Sequence, residues 1–80
     1  MKRVQVKLFA AYRDAAGLSE VSVDSEAASL RELFDELTGR YPGLAREPHA
    51  LVAINDELVD WDAPFSEGDQ VLFFPPVSGG

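Results

Sequence analysis

Cysteine is absent from this 80-residue sequence, which removes disulfides, thiolate metal sites and a cysteine nucleophile together. Basic residues are few: seven Lys and Arg stand against 14 Asp and Glu, for a formal net charge of −7. Nucleic acid requires a cationic footprint, so that class of partner is excluded. The single histidine, His49, follows Pro48 and has no second histidine to complete a ligand set, and it reads as a surface residue. No apolar run approaches the length that spans a membrane, and none resembles a signal peptide. The expectation is a soluble, cytoplasmic protein with no membrane partner. The length supports one small domain with a modest core and no deep enzymatic cavity.

What is present is alternation. Lys2 to Phe9 (KRVQVKLF) places Val4, Val6 and Leu8 on one side and Arg3, Gln5 and Lys7 on the other, the period of a half-buried strand. Phe9 falls on the polar parity. Ala10 to Gly17 (AAYRDAAG) reads as a short helical turn or loop closed by glycine, with Tyr12 packing and Arg13 at the surface. Ser19 to Asp24 (SEVSVD) alternates again, with Val21 and Val23 inward. Ser29 and Glu32 make an S-x-x-E capping box. Leu30, Leu33, Phe34, Leu37 and Tyr41 follow at helical spacing as one apolar stripe, with Arg31, Glu32, Asp35 and Glu36 toward water. Gly39, Pro42 and Gly43 stop the helix.

Leu44 to His49 is a connection, and Ala50 to Ile54 (ALVAI) is a third strand. Asn55, Asp56 and Glu57 form a turn, Leu58 to Asp60 a short fourth strand, and Trp61 to Asp69 an irregular stretch whose Trp61 and Phe65 are expected to cap one end of the core. Asp56, Glu57, Asp60, Asp62, Glu67 and Asp69 do not follow the twelve-residue calcium-loop spacing, so no metal site is expected. The order is strand, strand, helix, strand, short strand, strand. It implies an α+β domain with one main helix on one face of a mixed sheet and the first and last strands as its central pair.

The chain is organised around its last eleven residues, QVLFFPPVSGG. Gln70 to Phe74 is a dense β-forming run. Pro75 and Pro76 lack amide donors and hold φ near the polyproline value, so pairing stops and the chain leaves stiff and extended. Val77, Ser78, Gly79 and Gly80 reach roughly 13 Å beyond them. Two glycines carry no Cβ to obstruct another backbone or a nucleotide. They suit a probe that enters a neighbour's cleft and presents the carboxylate of Gly80.

The strand order with a Gly-Gly end resembles the β-grasp, ubiquitin-like fold. Within it, VKLFAAYRDAAG at residues 6–17 and FFPPVSGG at 73–80 are similar to the small sulfur-carrier subunits of molybdopterin synthase. The likeness runs from first strand to last glycine and implies a β-grasp domain over residues 1–76 and a flexible tail over 77–80. It also implies a chemistry. A partner adenylyltransferase would activate Gly80 as an acyl-adenylate with ATP, and a sulfur-donor protein would convert it to a thiocarboxylate. The sulfur would pass to cyclic pyranopterin monophosphate inside the large catalytic subunit, with Gly79 needed for access. No cofactor would be bound permanently, and the catalytic side chains would be the partner's.

A docking face follows from parity. With Val71 and Phe73 on the helix-covered side beside Val4, Val6 and Leu8, Leu72 and Phe74 point to the open side, where Phe9 joins them; the resemblance adds Leu58. An apolar group on an uncovered sheet face marks a partner site. The expected partner-binding set is Phe9, Leu58, Leu72, Phe74, Pro75, Pro76, Val77 and Ser78. Other readings stay open: a protein modifier joining Gly80 to lysines, a sulfur carrier of another, thiamine-type pathway, and an interaction module that uses the face alone.

Overall fold

The computed structural model describes residues 1–76; Val77 to Gly80, expected from the sequence to form the tail, lie outside the described residues. Strand β1 (Lys2–Leu8) leads into helix α1 (Ala10–Ala16) and strand β2 (Glu20–Ser25). Helix α2 (Leu30–Arg40) crosses to β3 (Leu51–Ile54), β4 (Glu57–Val59) and β5 (Gln70–Phe74). The five strands form one mixed sheet in the order β2-β1-β5-β3-β4, with β1 and β5 parallel at its centre and the other pairs antiparallel. This is the expected β-grasp arrangement.

The alternation of β1 sets the two faces. Val4, Val6 and Leu8 are buried beneath α2. The β1–β5 register aligns Val6 with Val71 and Leu8 with Phe73, and Phe73 faces Val52 across β3. Helix α2 turns Leu30, Leu33, Phe34 and Leu37 onto this layer. Phe34 is the hub of an aromatic cluster, with ring centroids 4.9 Å from Phe73, 5.3 Å from Tyr12 and 5.5 Å from Trp61. Edge-on and tilted contacts of this kind let each ring's positive rim meet a neighbour's negative face.

The first-turn amides of α2 are satisfied from two sources. The Ser29 hydroxyl accepts from the Glu32 amide at 3.3 Å, as a cap should. The Glu32 carboxylate accepts from the Ala28 amide, one residue before the usual reciprocal position. The Leu30 and Arg31 amides donate to the carbonyls of Ala63 and Trp61 at 3.0 and 2.8 Å. The irregular stretch before β5 therefore works as a cap for α2, which strand and helix signals cannot reveal.

Two sequence expectations change. Trp61 and Phe65 do not cap the same end of the core. Trp61 stacks on Phe73 at 5.6 Å and donates from Nε1 to the Ala50 carbonyl, at the Leu8 end of β1. Phe65 is buried at the opposite end beneath Lys2, whose Nζ sits 4.0 Å from its ring centroid and donates to the carbonyls of Ala27 and Phe65. The stretch between them runs across the α2 N-terminus, which separates the two rings. Ala10 to Ala16 is a full helix closed by Gly17 in the left-handed region at φ 80°. It starts with Ala10 at φ 49°, a conformation costing an L-residue roughly 1–2 kcal/mol. That single residue turns the chain out of β1.

Asn55 and Asp56 both take positive φ, 51° and 73°, the backbone of a two-residue hairpin turn. Asn55 also fastens the start of β5. Its amide donates to the Gln70 carbonyl at 2.8 Å and its Oδ1 accepts from the Gln70 amide at 2.9 Å.

Phe73→Ala should destabilise the domain by about 3–5 kcal/mol, as loss of a fully buried aromatic does, and Phe74→Ala by far less. Denaturant unfolding of the two variants checks this. Equal losses would mean that strand β5 does not separate the two rings as described.

Candidate functional site: the open face of the sheet

The face away from α2 is divided along its length. On β2 and β1 its side chains are polar and paired with one another. Arg3 Nε donates to Asp24 at 2.9 Å, Gln5 Nε2 to Glu20 at 2.8 Å, and Ser22 Oγ to Gln5 at 2.6 Å. Beyond Gln70 at the start of β5, the same face is apolar on β5, β3 and β4. One cross-strand row shows the change: Glu20 and Lys7 align with Leu72, Ala53 and Leu58. A second row places Phe74 opposite Leu51.

Phe9 closes the apolar half. It precedes α1 in extended conformation, and its ring stacks on Phe74 with centroids 4.7 Å apart and planes 11° from parallel. The pair stands half-buried at the end of β5 from which the chain leaves. Leu51 and Leu58 are exposed at 53 and 62 %, and with Met1 they are the large apolar side chains most open to solvent among the described residues.

The candidate residues read from the sequence thus fall into groups. Phe9, Leu58, Leu72 and Phe74 share the open face. Leu72 differs from the expectation of an exposed side chain: it is only 8 % exposed. Leu72 and its cross-strand neighbour Ala53 are buried but stand apart from the core cluster beneath α2. They make the floor of the patch, and the leucines and phenylalanines make its relief. Pro75 and Pro76 lie against α1 and the connection after α2. Val77, Ser78, Gly79 and Gly80 are outside the described residues. Sequence reasoning missed Leu51 and Ala53, although their alternation with Val52 and Ile54 in ALVAI was the available signal.

Charged groups on both sides of the sheet have structural employment. Hydrogen bonding from Arg3 holds the Asp24 carboxyl below the usual carboxylate range, and Arg31 does the same for Asp62. What these exposed pairs contribute is present above the ordinary carboxylate pKa and lost as pH falls through the lowered value. In the acidic stretch before β5, Asp69 accepts from the Ser66 amide and Asn55 Nδ2, and Glu67 from the Arg3 amide. Burial pushes the Tyr12 phenol up, and its oxygen accepts from the Glu47 amide. The arrangement offers an apolar contact surface beside the chain's exit, and Arg3, Asp24, Gln5, Glu20 and Ser22 next to it are committed to one another.

A sheet of this order with one main helix on one face, and a last strand leading into the C-terminal residues, defines a ubiquitin-like β-grasp protein. The chain belongs to the ThiS family, which its residues 6–80 match. It is 35% identical over 80 residues to the molybdopterin synthase sulfur carrier subunit of Escherichia coli K12, covering 96% of this chain and 99% of that one. The crystal structure of SAMP1 from Haloferax volcanii superposes with a TM-score of 0.84 at 32% identity, over 98% of this chain and 99% of that one. A Helicobacter pylori chain from the complex of subunits 1 and 2 of molybdopterin-converting factor gives 0.64 at 28% identity, with coverage of 98% and 99%.

A double-mutant cycle on Phe9→Ala and Phe74→Ala should return a stability coupling of about 0.5–1.5 kcal/mol, the usual worth of an aromatic pair beyond its area. Chemical denaturation supplies the four free energies. A coupling of zero would mean that the stack does not persist in solution.

Proposed function

We propose that this chain is a sulfur carrier for molybdenum cofactor biosynthesis, acting in the cytoplasm through the carboxylate of Gly80. The observation that carries the proposal is the apolar half of the open face. It culminates in the Phe9–Phe74 stack immediately before Pro75, so docking and aiming of the chain's end are joined in one place. The names of the E. coli relative and the H. pylori complex support it: one is a sulfur carrier subunit, the other an assembly with a second subunit.

A carboxylate is a poor electrophile and must be activated. A partner adenylyltransferase joins Gly80 to AMP from ATP with loss of pyrophosphate. A sulfur donor then displaces AMP and leaves a thiocarboxylate, which is ionised at neutral pH and strongly nucleophilic for the reasons thiolates are. Within the large synthase subunit the sulfur passes to cyclic pyranopterin monophosphate, and the carboxylate is regenerated with oxygen from water. Gly79 carries no side chain that would block the approach. The carrier supplies the sulfur and the docking surface, and the large subunit supplies acid–base groups.

The similarity to SAMP1, a small archaeal modifier protein, favours a second reading in which activated Gly80 forms isopeptide bonds with lysines. Intact mass from cells with and without the activating enzyme separates the two. The carrier reading expects one sulfur in place of one oxygen, and the modifier reading expects adducts on other proteins. Adding one residue after Gly80, or Gly79→Val, should abolish sulfur transfer with an unchanged melting temperature. Active synthase from the extended chain would overturn the carrier reading.

Aromatic anchors at interface centres cost about 2 kcal/mol or more on truncation. Phe74→Ala should therefore weaken binding to the large subunit at least about tenfold, each decade being ~1.4 kcal/mol. Calorimetric titration measures it, and full affinity would remove the docking role of the stack.

A further inference from the structure

On the side of the chain's exit away from the Phe9–Phe74 stack lies a groove of about 290 Å3. Ala11 and Ala15 wall it from α1, Gly43 and Ala45 from the connection after α2, and Pro75 and Pro76 complete it. The walls are held in place. The Glu47 amide donates to the Tyr12 hydroxyl at 3.3 Å, and Gly43 approaches so closely that a Cβ there would meet the Ala15 carbonyl oxygen at 3.0 Å. Every one of these six lining residues is small or proline, so the space between them is left for something else. Few polar groups converge on it, as a small-molecule site would need: the Tyr12 oxygen already accepts a hydrogen bond, and Glu47 stands at the edge.

We propose that this groove receives an apolar side chain from the rim of the cleft that accepts the chain's C-terminal residues, on the large subunit. The proposal rests on the carrier reading and deepens it. Four residues beyond Pro76 reach only roughly 13 Å. For Gly80 to meet a substrate inside a second protein, the mouth of that protein's cleft must close around Pro75 and Pro76. A mouth that surrounds the two prolines meets the aromatic stack on one side and the groove on the other. The two sites grip the exit from opposite flanks and fix the direction in which it points. Glu47 at the groove, in a chain of net charge −7, sets the chemistry of the neighbour: the inserted side chain is flanked by a lysine or arginine of the partner.

The test fills the groove without touching the stack. Ala11 and Ala45 are both exposed, and at Ala11 in α1 leucine is a good helix former, so Ala11→Leu and Ala45→Leu should melt as the wild type does. Binding of each to the purified large subunit is measured by calorimetry beside Phe74→Ala. Both fillers are expected to weaken binding at least fivefold, and Glu47→Lys to slow association. Wild-type or tighter binding by both fillers, with Phe74→Ala still weakened tenfold, overturns the groove and leaves the carrier reading standing. Wild-type binding by all three, Phe74→Ala included, removes the docking reading itself and the groove proposal with it.

Discussion

The parallel pairing of β1 with β5 is the constraint on which the rest depends. It joins the two ends of the sequence at the centre of the sheet, and it sets Leu8 beside Phe73. The next residue on each strand, Phe9 and Phe74, then falls on the other face and the two rings meet. One register thus produces both the core row and the surface stack. A slip by one residue would exchange the faces of every side chain in β5, placing Phe74 beneath α2 and Phe73 in solvent. The register is held at the start of β5 from two sides. Asn55 exchanges two hydrogen bonds with the Gln70 backbone, and the Gln5 amide donates to the Asp69 carbonyl at 3.0 Å. The hairpin turn at Asn55 and Asp56 consequently governs a surface at the far end of the same strand.

Much of this was legible because it rests on local periodicities. The alternation of KRVQVKLF, the Ser29 cap and the leucine stripe of α2 need only short windows, and their consequences fix a helix on one face of a sheet. The parity argument for Phe73 against Phe74 is equally local. What the sequence concealed depends on tertiary neighbours. The stretch from Trp61 to Asp69 has no period, so nothing in it announces that its carbonyls cap α2 or that its two aromatic rings part to opposite ends of β1. Leu72 has the parity of an exposed residue, yet between Lys7 on β1 and Ala53 on β3 it is only 8 % exposed. Leu51 lay within reach of the alternation in ALVAI, but a run of five apolar residues reads as a buried strand before its faces are distinguished.

The division of the open face carries a further consequence. Had all five strands presented apolar residues there, the surface would adhere to many partners. Instead the polar half satisfies its own hydrogen bonds through Arg3, Asp24, Gln5, Glu20 and Ser22. A partner that covers only the apolar half therefore strips water from few groups that lack another bond, and desolvation costs little. A partner that slides toward β2 must break those pairs or bury them. The boundary between the halves follows the β1–β5 seam, and this aligns any partner with the strand that delivers the chain's end.

On the proposed carrier reading the reactive group is a carboxylate at the chain's end, which needs no catalytic cavity, and the use of the aromatic residues fits that reading. Both tyrosines, the tryptophan and three of the five phenylalanines serve the core or its edge, and the remaining two phenylalanines form the stack. Pro75 follows that stack directly. Because proline holds φ within a narrow range, a tilt of the Phe74 backbone is passed on to the residues beyond with little angular slack. On that reading aiming is a property of the sheet, set by the same register that packs Phe73, and a partner that seated the stack would also fix the line of the two prolines that follow it.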